Sequence, residues 1–130
     1  MRSIIDELTS SLGAAKIAVD EATLAAYAVD QAPVLDYQLP QAVVRAESVA
    51  DVQAAVRACA ARGVPLVARG AGTGVSGGAH ASEGCVVLTL EAMNRILDLN
   101  PDDETAVVEP GVINADLNAA AAVHGLMYAP

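Results

Sequence analysis

Glycines and small polar residues fill one stretch of the sequence, residues 69–78, which reads Arg-Gly-Ala-Gly-Thr-Gly-Val-Ser-Gly-Gly. Glycine has no Cβ atom, so an anion can approach the backbone closely. Successive N–H groups in such a loop can converge on phosphate oxygens, and hydroxyl side chains add donors with little bulk. The stretch therefore predicts a phosphate-binding loop with an arginine at its start, made of Arg69, Gly70, Ala71, Gly72, Thr73, Gly74, Ser76, Gly77 and Gly78.

Two other phosphate-binding motifs fit the spacing less well. Residues 72–77 form a Gly-x-Gly-x-x-Gly, but a Rossmann unit needs a helix that opens directly from the loop. Residues 77–84 are turn-forming, and the next apolar run begins at Cys85, which leaves no room for a crossover helix. Glu91 lies about 20 residues on, where a ribose-binding acid is expected, but it follows the wrong element. No Lys follows the glycines, which excludes a Walker loop. A flexible loop that binds no ligand is a further alternative.

Composition narrows the class of protein further. At 130 residues, 54% of them hydrophobic, the chain is long enough for one ordered domain. The net charge of −9 repels phosphate backbones and argues against nucleic acid as a partner. No apolar run approaches the roughly 18 residues of a membrane helix, and two acids at residues 6–7 do not suit a signal peptide. We expect a cytoplasmic protein without a transmembrane segment. This expectation includes a protein attached to the periphery of the inner membrane.

The elements around the loop suggest how it is positioned. A short buried strand at 42–44 precedes a helix that Ser48 begins and Gly63 ends. Ser48 and Asp51 resemble a capping box, and an apolar stripe on the helix consists of Val49, Val52, Val56 and Cys59. Strands at 64–68 and 85–90 flank the loop. The order of strand, helix and strand predicts a βαβ unit with parallel pairing.

The remaining chain has a different pattern. Residues 96–99 and 105–108 flank an acidic Pro-containing turn and predict an antiparallel hairpin. Asn114 is expected to cap a last helix that Gly125 ends. The fold class is therefore α+β, a small parallel βαβ subdomain followed by the start of an antiparallel sheet. We divide the chain into a helical lead-in over 1–38 and the main domain over 39–130.

Two helices and a connector precede this framework, and two cysteines lie within it. A helix over residues 3–12 is expected to begin at Ser3, a second short helix near Asp20, and an extended connector over 30–40, where two prolines interrupt the pattern. Cys59 and Cys85 are far apart and have no Cys-x-x-Cys spacing, so we expect two buried reduced thiols.

The glycine-rich stretch resembles the first FAD-diphosphate loop of the FAD-linked oxidases, a family with the vanillyl-alcohol-oxidase or p-cresol-methylhydroxylase type of flavin domain. Supporting similarities lie in register on both sides of the loop, at residues 27–30, 40–44, 48–63, 93–99 and 108–112. The resemblance covers nearly the whole chain. As an ordered set these segments are specific, and they imply an incomplete FAD-binding domain of this type.

What the resemblance implies is a flavin-dependent oxidoreductase with FAD as cofactor. Within the family the similarity is to the bacterial glycolate oxidases and to D-lactate and D-2-hydroxyglutarate dehydrogenases. Such enzymes oxidise a D-2-hydroxy acid to the 2-oxo acid by hydride transfer to flavin, which a quinone, a cytochrome or an electron-transfer protein reoxidises. Arg69 to Gly74 and Ser76 to Gly78 would surround the FAD diphosphate, and Pro110 and Gly111 would line the flavin pocket.

Departures from the family pattern refine this picture. Relatives with covalent flavin carry a His where this loop has Thr73, so non-covalent FAD is expected. His80 is predicted to be a solvated turn residue and His124 a residue near the C-terminal end of the last helix. The second flavin-binding stretch, often Asp-Pro-Ser-Ser, would follow Pro130, so the chain is predicted to be an N-terminal part that is inactive alone. We therefore assign no catalytic and no metal-binding residue.

Two alternatives remain open. The substrate pocket of this family lies outside the chain, so a sugar-acid lactone, an alcohol or an amine could replace the hydroxy acid. The chain could also be a non-catalytic binding piece, such as a truncated paralogue that retains the loop. A Rossmann-type NAD or nucleotide-sugar binder is the third class, and it would require a helix at residues 75–84.

Overall fold

The larger sheet of the fold has four strands, three of which are parallel. The computed structural model describes residues 2–33 and 36–129 of the chain. The sheet contains β1 (Ile17–Ala18), β2 (Ala42–Arg45), β3 (Leu66–Arg69) and β4 (Val86–Thr89) in the order β1-β2-β4-β3. The strands β2 and β3 both run parallel to β4, whereas β1 pairs antiparallel with β2. The parallel βαβ arrangement is confirmed, but its two strands are not neighbours because β4 lies between them.

The central strand β4 has a core on each side of the sheet. All four of its residues are buried, and side chains of successive residues point to opposite faces of a strand. Val86 and Leu88 join the core on one face, while Cys85 and Val87 join the core on the other. A strand that is covered on both faces reads as a continuous apolar run, which is why the sequence revealed it.

Helix α3 (Val49–Arg62) connects β2 to β3, and its predicted apolar stripe is only partly correct: Cys59 is buried and Val52 packs against the core, but the other two residues do not face it. Val49 is 64% exposed and Val56 is 43% exposed. The buried face consists instead of Asp51, Ala55, Ala58 and Cys59. In an alanine-rich helix the apolar contrast is low, so sequence spacing defines its orientation poorly, and here the small alanines face the core.

The ends of α3 follow the sequence prediction in part. The Ser48 hydroxyl accepts from the Asp51 N–H at 3.2 Å, and Gly63 ends the helix in the left-handed conformation at φ 64°. The reciprocal half of the capping box is absent, however. The Asp51 carboxylate accepts from the Glu47 N–H at 2.9 Å and from Lys16 Nζ at 2.7 Å. Asp51 thus binds the Glu47 N–H and a distant lysine instead of the Ser48 N–H.

The N-terminal elements pack onto this sheet. Helix α1 (Ile4–Leu12) begins at Ser3 with a complete capping box, and Arg62 of α3 pairs with Glu7 on α1. Helix α2 (Glu21–Ala26) begins at Asp20, as the sequence predicts. Described residues 27–33 and 36–40, which follow α2, hold no helix or strand. Residues 34–35 of the expected connector lie outside the described residues.

The second part of the fold is the predicted antiparallel hairpin. Strand β5 (Ile96–Asn100) pairs with β6 (Thr105–Val108), and helix α4 (Asn114–Ala122) follows. The N-cap of α4 is Ile113, without a side-chain hydrogen bond, so the prediction of an Asn114 cap is wrong. His124 lies beyond the end of α4 and is exposed. The architecture is therefore α+β, with a mixed, largely parallel sheet and a small antiparallel pair.

Two findings bear on the alternatives. Residues 70–84, all of which the structure describes, contain turns and bends but no helix, so the Rossmann arrangement is absent at this loop. Among the described residues, no helix is long and apolar enough to cross a membrane.

Candidate functional site

The site is built at the carboxyl edge of the parallel strands. Arg69, the last residue of β3, aligns with Thr89, the last residue of β4. The glycine loop, which we define as residues 70–78, leaves the sheet at this point. In open α/β sheets, ligands bind outside the carboxyl ends of the strands. The topology therefore places the loop where a ligand is expected.

A groove joins the glycine loop to a second, distant segment. Its volume is about 270 Å³, and its lining residues are Gly70, Ala71, Thr73, Pro110, Gly111, Val112, Ile113 and Asn114. Five of these are residues that the sequence singled out, and the fold brings them together from two positions about forty residues apart. The other predicted loop residues are not in this lining: Gly72, Gly74, Ser76, Gly77 and Gly78.

The backbone of the glycine loop is available to a ligand. Among the described residues, no acceptor receives a hydrogen bond from the backbone N–H groups of residues 70–78. Gly72 and Gly77 have φ values of 71° and 77°, which other residues adopt at a cost. Alternation of ordinary and left-handed backbone is the conformation in which adjacent N–H groups converge on an anion. The loop therefore has the features of an anion-binding nest.

Arg69 lies beneath the loop rather than in the groove. Its Nη1 donates to the carbonyl oxygens of Val29 at 2.5 Å and Tyr27 at 3.3 Å, and its guanidinium lies 5.1 Å from the centre of the Tyr27 ring. A Cβ built on Gly72 would overlap Nη2 and lie 2.5 Å from Cζ. Its Nε is buried and has no partner among the described residues. Arg69 thus supports Gly72 and brings a positive charge under the loop.

The segment after α2, residues 27–32, fixes the rest of the loop, and we call it the anchor segment. Its Gln31 N–H donates to the Gly74 carbonyl at 2.9 Å, and the Ala81 N–H donates to the Ala28 carbonyl at 2.8 Å. Backbone hydrogen bonds therefore tie the loop and the residues just after it to this segment. Apart from the resemblance at residues 27–30, no pattern in the sequence indicated this role.

Asp30 and His80 form a buried pair between the anchor segment and the loop. Asp30 Oδ1 lies 2.9 Å from His80 Nδ1, and the two side chains are only 1% and 9% exposed. Asp30 also accepts from the N–H groups of Ala32 at 2.8 Å and Ala79 at 3.3 Å. Hydrogen bonds hold the pKa of Asp30 below its usual value, and the one from the Ala32 N–H has the largest effect. The prediction that His80 is a solvated turn residue is wrong, since its side chain is buried against Asp30. The error arose because sequence spacing could not reveal Asp30 as its partner.

Glu91 has local hydrogen-bond partners at the same edge of the sheet. Its Oε2 accepts from the Tyr27 hydroxyl at 2.7 Å and from the Thr89 hydroxyl at 2.9 Å. The hydrogen bond to Glu91 raises the pKa of the Tyr27 phenol. Glu91 therefore links the anchor segment to β4, in an arrangement that differs from a ribose-binding acid in a Rossmann unit.

The opposite wall of the groove is a closely packed turn at Pro110–Gly111. The Gly111 N–H donates to the Met93 carbonyl at 2.8 Å. A Cβ on Gly111 would overlap the Leu90 carbonyl oxygen and lie 2.8 Å from that of Met93, so only glycine fits here. Just before the turn, Glu109 accepts from the Arg95 side chain at 2.8 Å and from its N–H at 2.9 Å. These hydrogen bonds lower the pKa of Glu109.

Helix α4 begins at this wall and adds backbone donors. The lining residues Ile113 and Asn114 are the N-cap and the first residue of α4. The first N–H groups of a helix have no intrahelical partner, and Ile113 offers no side-chain cap. Sequence reasoning missed residues 112–114 as site residues, although their position directly after Pro110–Gly111 could have indicated them.

The fold is of the α+β class, and a groove at the edge of its parallel strands is lined largely by backbone groups of the glycine loop and of the Pro110–Gly111 turn. Comparison with known proteins identifies the family. The FAD binding domain family matches residues 40–130. The chain therefore belongs to the FAD binding domain family.

Individual relatives agree with this assignment. D-2-hydroxyglutarate dehydrogenase of Stutzerimonas stutzeri (strain A1501) is 40% identical over 130 residues, which is 97% of this chain and 27% of that protein. Glycolate oxidase subunit GlcD of Escherichia coli (strain K12) is 44% identical over 91 residues, 70% of this chain and 18% of that protein. The chain is thus homologous to FAD-dependent dehydrogenases and oxidases and spans about a quarter or less of their length.

A solved structure confirms the fold. The crystal structure of p-cresol methylhydroxylase with substrate bound superposes with a TM-score of 0.80 and 28% sequence identity, covering 95% of this chain and 24% of that chain. The p-cresol-methylhydroxylase type of flavin domain that the sequence suggested is therefore confirmed.

The residues present suit the diphosphate of FAD. A Cβ at Gly72 would displace the guanidinium that supports the loop, and the buried Arg69 Nε has no partner among the described residues. The loop donors and the start of α4 lie on opposite sides of one groove. Within the described residues no cluster of three or more His, Cys, Asp or Glu side chains could hold a metal ion. The described lining of the groove contains no ionisable side chain, so its polar groups are the backbone and the side chains of Thr73 and Asn114, which offer neutral donors to an anionic group.

Proposed function

We propose that the chain forms the diphosphate-binding part of a flavin-dependent oxidoreductase that oxidises a D-2-hydroxy acid to a 2-oxo acid. The observation that carries the proposal is the glycine loop, whose N–H groups have no acceptor among the described residues while the loop lines a groove with Pro110–Gly111. The loop would hold the FAD diphosphate, and the turn would lie nearer the flavin. When bound, FAD supplies the acceptor for the substrate hydride.

Binding by this chain would depend on backbone dipoles more than on charged side chains. The net charge of −9 disfavours a dianion at long range. Converging N–H groups and the first turn of α4 offset this repulsion locally. Arg69 contributes its charge from below the loop, where two carbonyl groups hold it in place. Its proposed role is thus to support the loop as well as to attract the diphosphate.

FAD is proposed to be non-covalent. Thr73 lines the groove at the position where covalent relatives carry His, and a hydroxyl cannot form a histidyl link. The nearby imidazole of His80 is directed to Asp30, which supports a structural role for it. Both observations favour a cofactor held by hydrogen bonds alone.

The substrate class is the less direct part of the proposal. Two of the relatives above are named as a D-2-hydroxyglutarate dehydrogenase and a glycolate oxidase subunit. Both names describe oxidation of a short 2-hydroxy acid, and a quinone, cytochrome or electron-transfer protein would then reoxidise the flavin. The p-cresol methylhydroxylase structure shares the fold but is named for a phenol, so the fold by itself does not select the substrate.

The test uses the complete gene product. After purification its visible spectrum should show bound flavin, and acid precipitation should release all of that flavin into the supernatant. D-2-hydroxyglutarate, D-lactate and glycolate are then tested with a dye acceptor. A protein that stays colourless after addition of FAD contradicts the flavin assignment. Flavin that precipitates with the protein contradicts the non-covalent assignment, and turnover of only alcohols or lactones contradicts the substrate class.

A further inference from the structure

We infer that Asp30 and His80 form a positioning pair, in which a hydrogen bond from His80 Nδ1 to Asp30 holds the glycine loop in the conformation that binds the FAD diphosphate. The inference rests on the proposed function of the loop and adds two residues outside it. Neither residue lines the groove. Their effect on the ligand is therefore transmitted through the loop backbone.

The geometry makes Asp30 the centre of the contact. One carboxylate oxygen, Oδ1, receives the Ala32 N–H at 2.8 Å and lies 2.9 Å from His80 Nδ1. The Asp30 backbone nitrogen lies farther from Nδ1, at 3.4 Å, so we assign the Nδ1 proton to the shorter contact with the carboxylate. The other, Oδ2, receives the Ala79 N–H at 3.3 Å and lies 3.6 Å from where a Cβ on Gly74 would be. The carboxylate therefore binds the residue that follows the loop and lies on the side of Gly74 where a side chain would be.

The loop needs such a support because it has few others. Residues 70–78 are exposed apart from Gly72 and Gly77, which are half-buried. Five glycines within this stretch give the free loop many accessible backbone conformations. Hydrogen bonds from the Gln31 N–H to Gly74 and from the Ala81 N–H to Ala28 connect the loop and the residues after it to the anchor segment. Asp30 lies between Ala28 and Gln31 in the chain. Asp30 is thus placed to hold the segment and the loop in one arrangement.

Burial makes this pair hard to replace with water. The Asp30 side chain is 1% exposed, so an unmatched carboxylate there is costly. Without the imidazole donor, the loop would move to let water reach Oδ1. The measured affinity for a ligand falls in proportion to the fraction of protein in the binding conformation. Loss of the pair should therefore weaken FAD binding although no ligand contact is removed.

The experiment measures the FAD dissociation constant of the complete gene product after its flavin has been removed. His80→Ala should weaken binding by about 10-fold, because a hydrogen bond to a charged group is lost. His80→Asn places an amide N–H near the position of Nδ1 and should restore affinity to within about 3-fold of the unmodified protein. His80→Gln places its amide near Nε2 instead and should bind as weakly as His80→Ala.

A second readout and a control complete the design. Amide hydrogen exchange at residues 74–81 of the flavin-free protein should be faster in His80→Ala and His80→Gln and near normal in His80→Asn. His124→Ala, at an exposed histidine beyond α4, should change neither measurement. If His80→Ala does not fold, the contrast between His80→Asn and His80→Gln decides the question.

The outcomes separate the inference from the function on which it rests. An unmodified protein that binds no FAD contradicts the proposed function itself. An unmodified protein that binds FAD, together with three His80 variants of equal affinity, contradicts only the positioning pair. Rescue by His80→Gln as complete as by His80→Asn also contradicts it, because side-chain volume would then explain the effect. Rescue by His80→Asn alone supports the hydrogen bond.

Discussion

The glycine loop and the Pro110–Gly111 turn line the same groove, but different constraints require their glycines. At Gly111 the carbonyl oxygens of Leu90 and Met93 occupy the space of a side chain. At Gly70 and Gly78 no atom of the described residues, apart from the two chain neighbours, would lie within 4 Å of an added Cβ. The turn is therefore limited by packing within the protein. The loop is open on one side, and this is where the diphosphate is proposed to bind.

The two walls also depend on different supports. The turn follows Glu109, which Arg95 neutralises from within the same hairpin. The loop depends on Asp30 and His80, which are fifty residues apart in sequence. The difference indicates that substitutions in the turn should mainly lower stability, and that substitutions in the loop should mainly lower affinity for FAD.

The largest expected effect follows from a charge within the loop. Gly74→Asp adds a carboxylate to the loop that is proposed to bind the diphosphate, with its Cβ 3.6 Å from Asp30 Oδ2, so charge repulsion should abolish retention of FAD through purification. Gly74→Asn has nearly the same shape without the charge and is the matched control, which should keep most of the flavin. The flavin-to-protein absorbance ratio measures both. Equal flavin content in the two variants would contradict the loop's role.

A substitution in the turn should instead affect folding. Gly111→Ala creates a contact with carbonyl oxygens that cannot move independently, and overpacking of this kind lowers the free energy of unfolding by about 1–3 kcal/mol. Gly78→Ala, in open space with ordinary φ, should change it by less than about 0.5 kcal/mol. Denaturant unfolding of the complete gene product measures both. A similar loss in the two variants would remove the distinction between turn and loop.

The smallest expected effect is on the free energy of unfolding at low pH. Because the hydrogen bonds from Arg95 lower the pKa of Glu109 below 4.5, the folded protein gains stability from the ionised carboxylate above that pH. This contribution is lost as the pH falls through the folded pKa. Glu109→Gln should therefore reduce the dependence of the free energy of unfolding on pH below about 4.5. The exposed Glu83→Gln is the control, and an unchanged pH dependence in Glu109→Gln would contradict the assignment.

The sequence predicted the elements well where side-chain contrast was strong. The apolar run at 85–90 and the alternating hairpin at 96–108 were found because buried and paired strands leave clear patterns. The stripe on α3 was wrong at Val49 and Val56, although correct at Cys59 and Val52, because alanine gives little contrast between faces. The insertion of β4 between β2 and β3 was missed because strand order depends on long-range packing.

The site was predictable where function constrains local sequence. The glycine loop and Pro110–Gly111 are short contiguous motifs, and the structure brings both to one groove. Asp30 and His80 were not predicted as partners, since a single histidine and a single aspartate carry no pattern that links them. Arg69 was expected near the diphosphate, and its packing under Gly72 was visible only in three dimensions.

A crystal structure of the complete gene product with FAD tests the central claim most directly. It should place diphosphate oxygens within about 2.7–3.2 Å of backbone nitrogen atoms of residues 70–78, the ordinary range for such hydrogen bonds. Pro110 and Gly111 should lie on the flavin side of the groove, and no covalent bond should join FAD to this chain. A diphosphate bound elsewhere, with the glycine loop facing only solvent, would contradict the account.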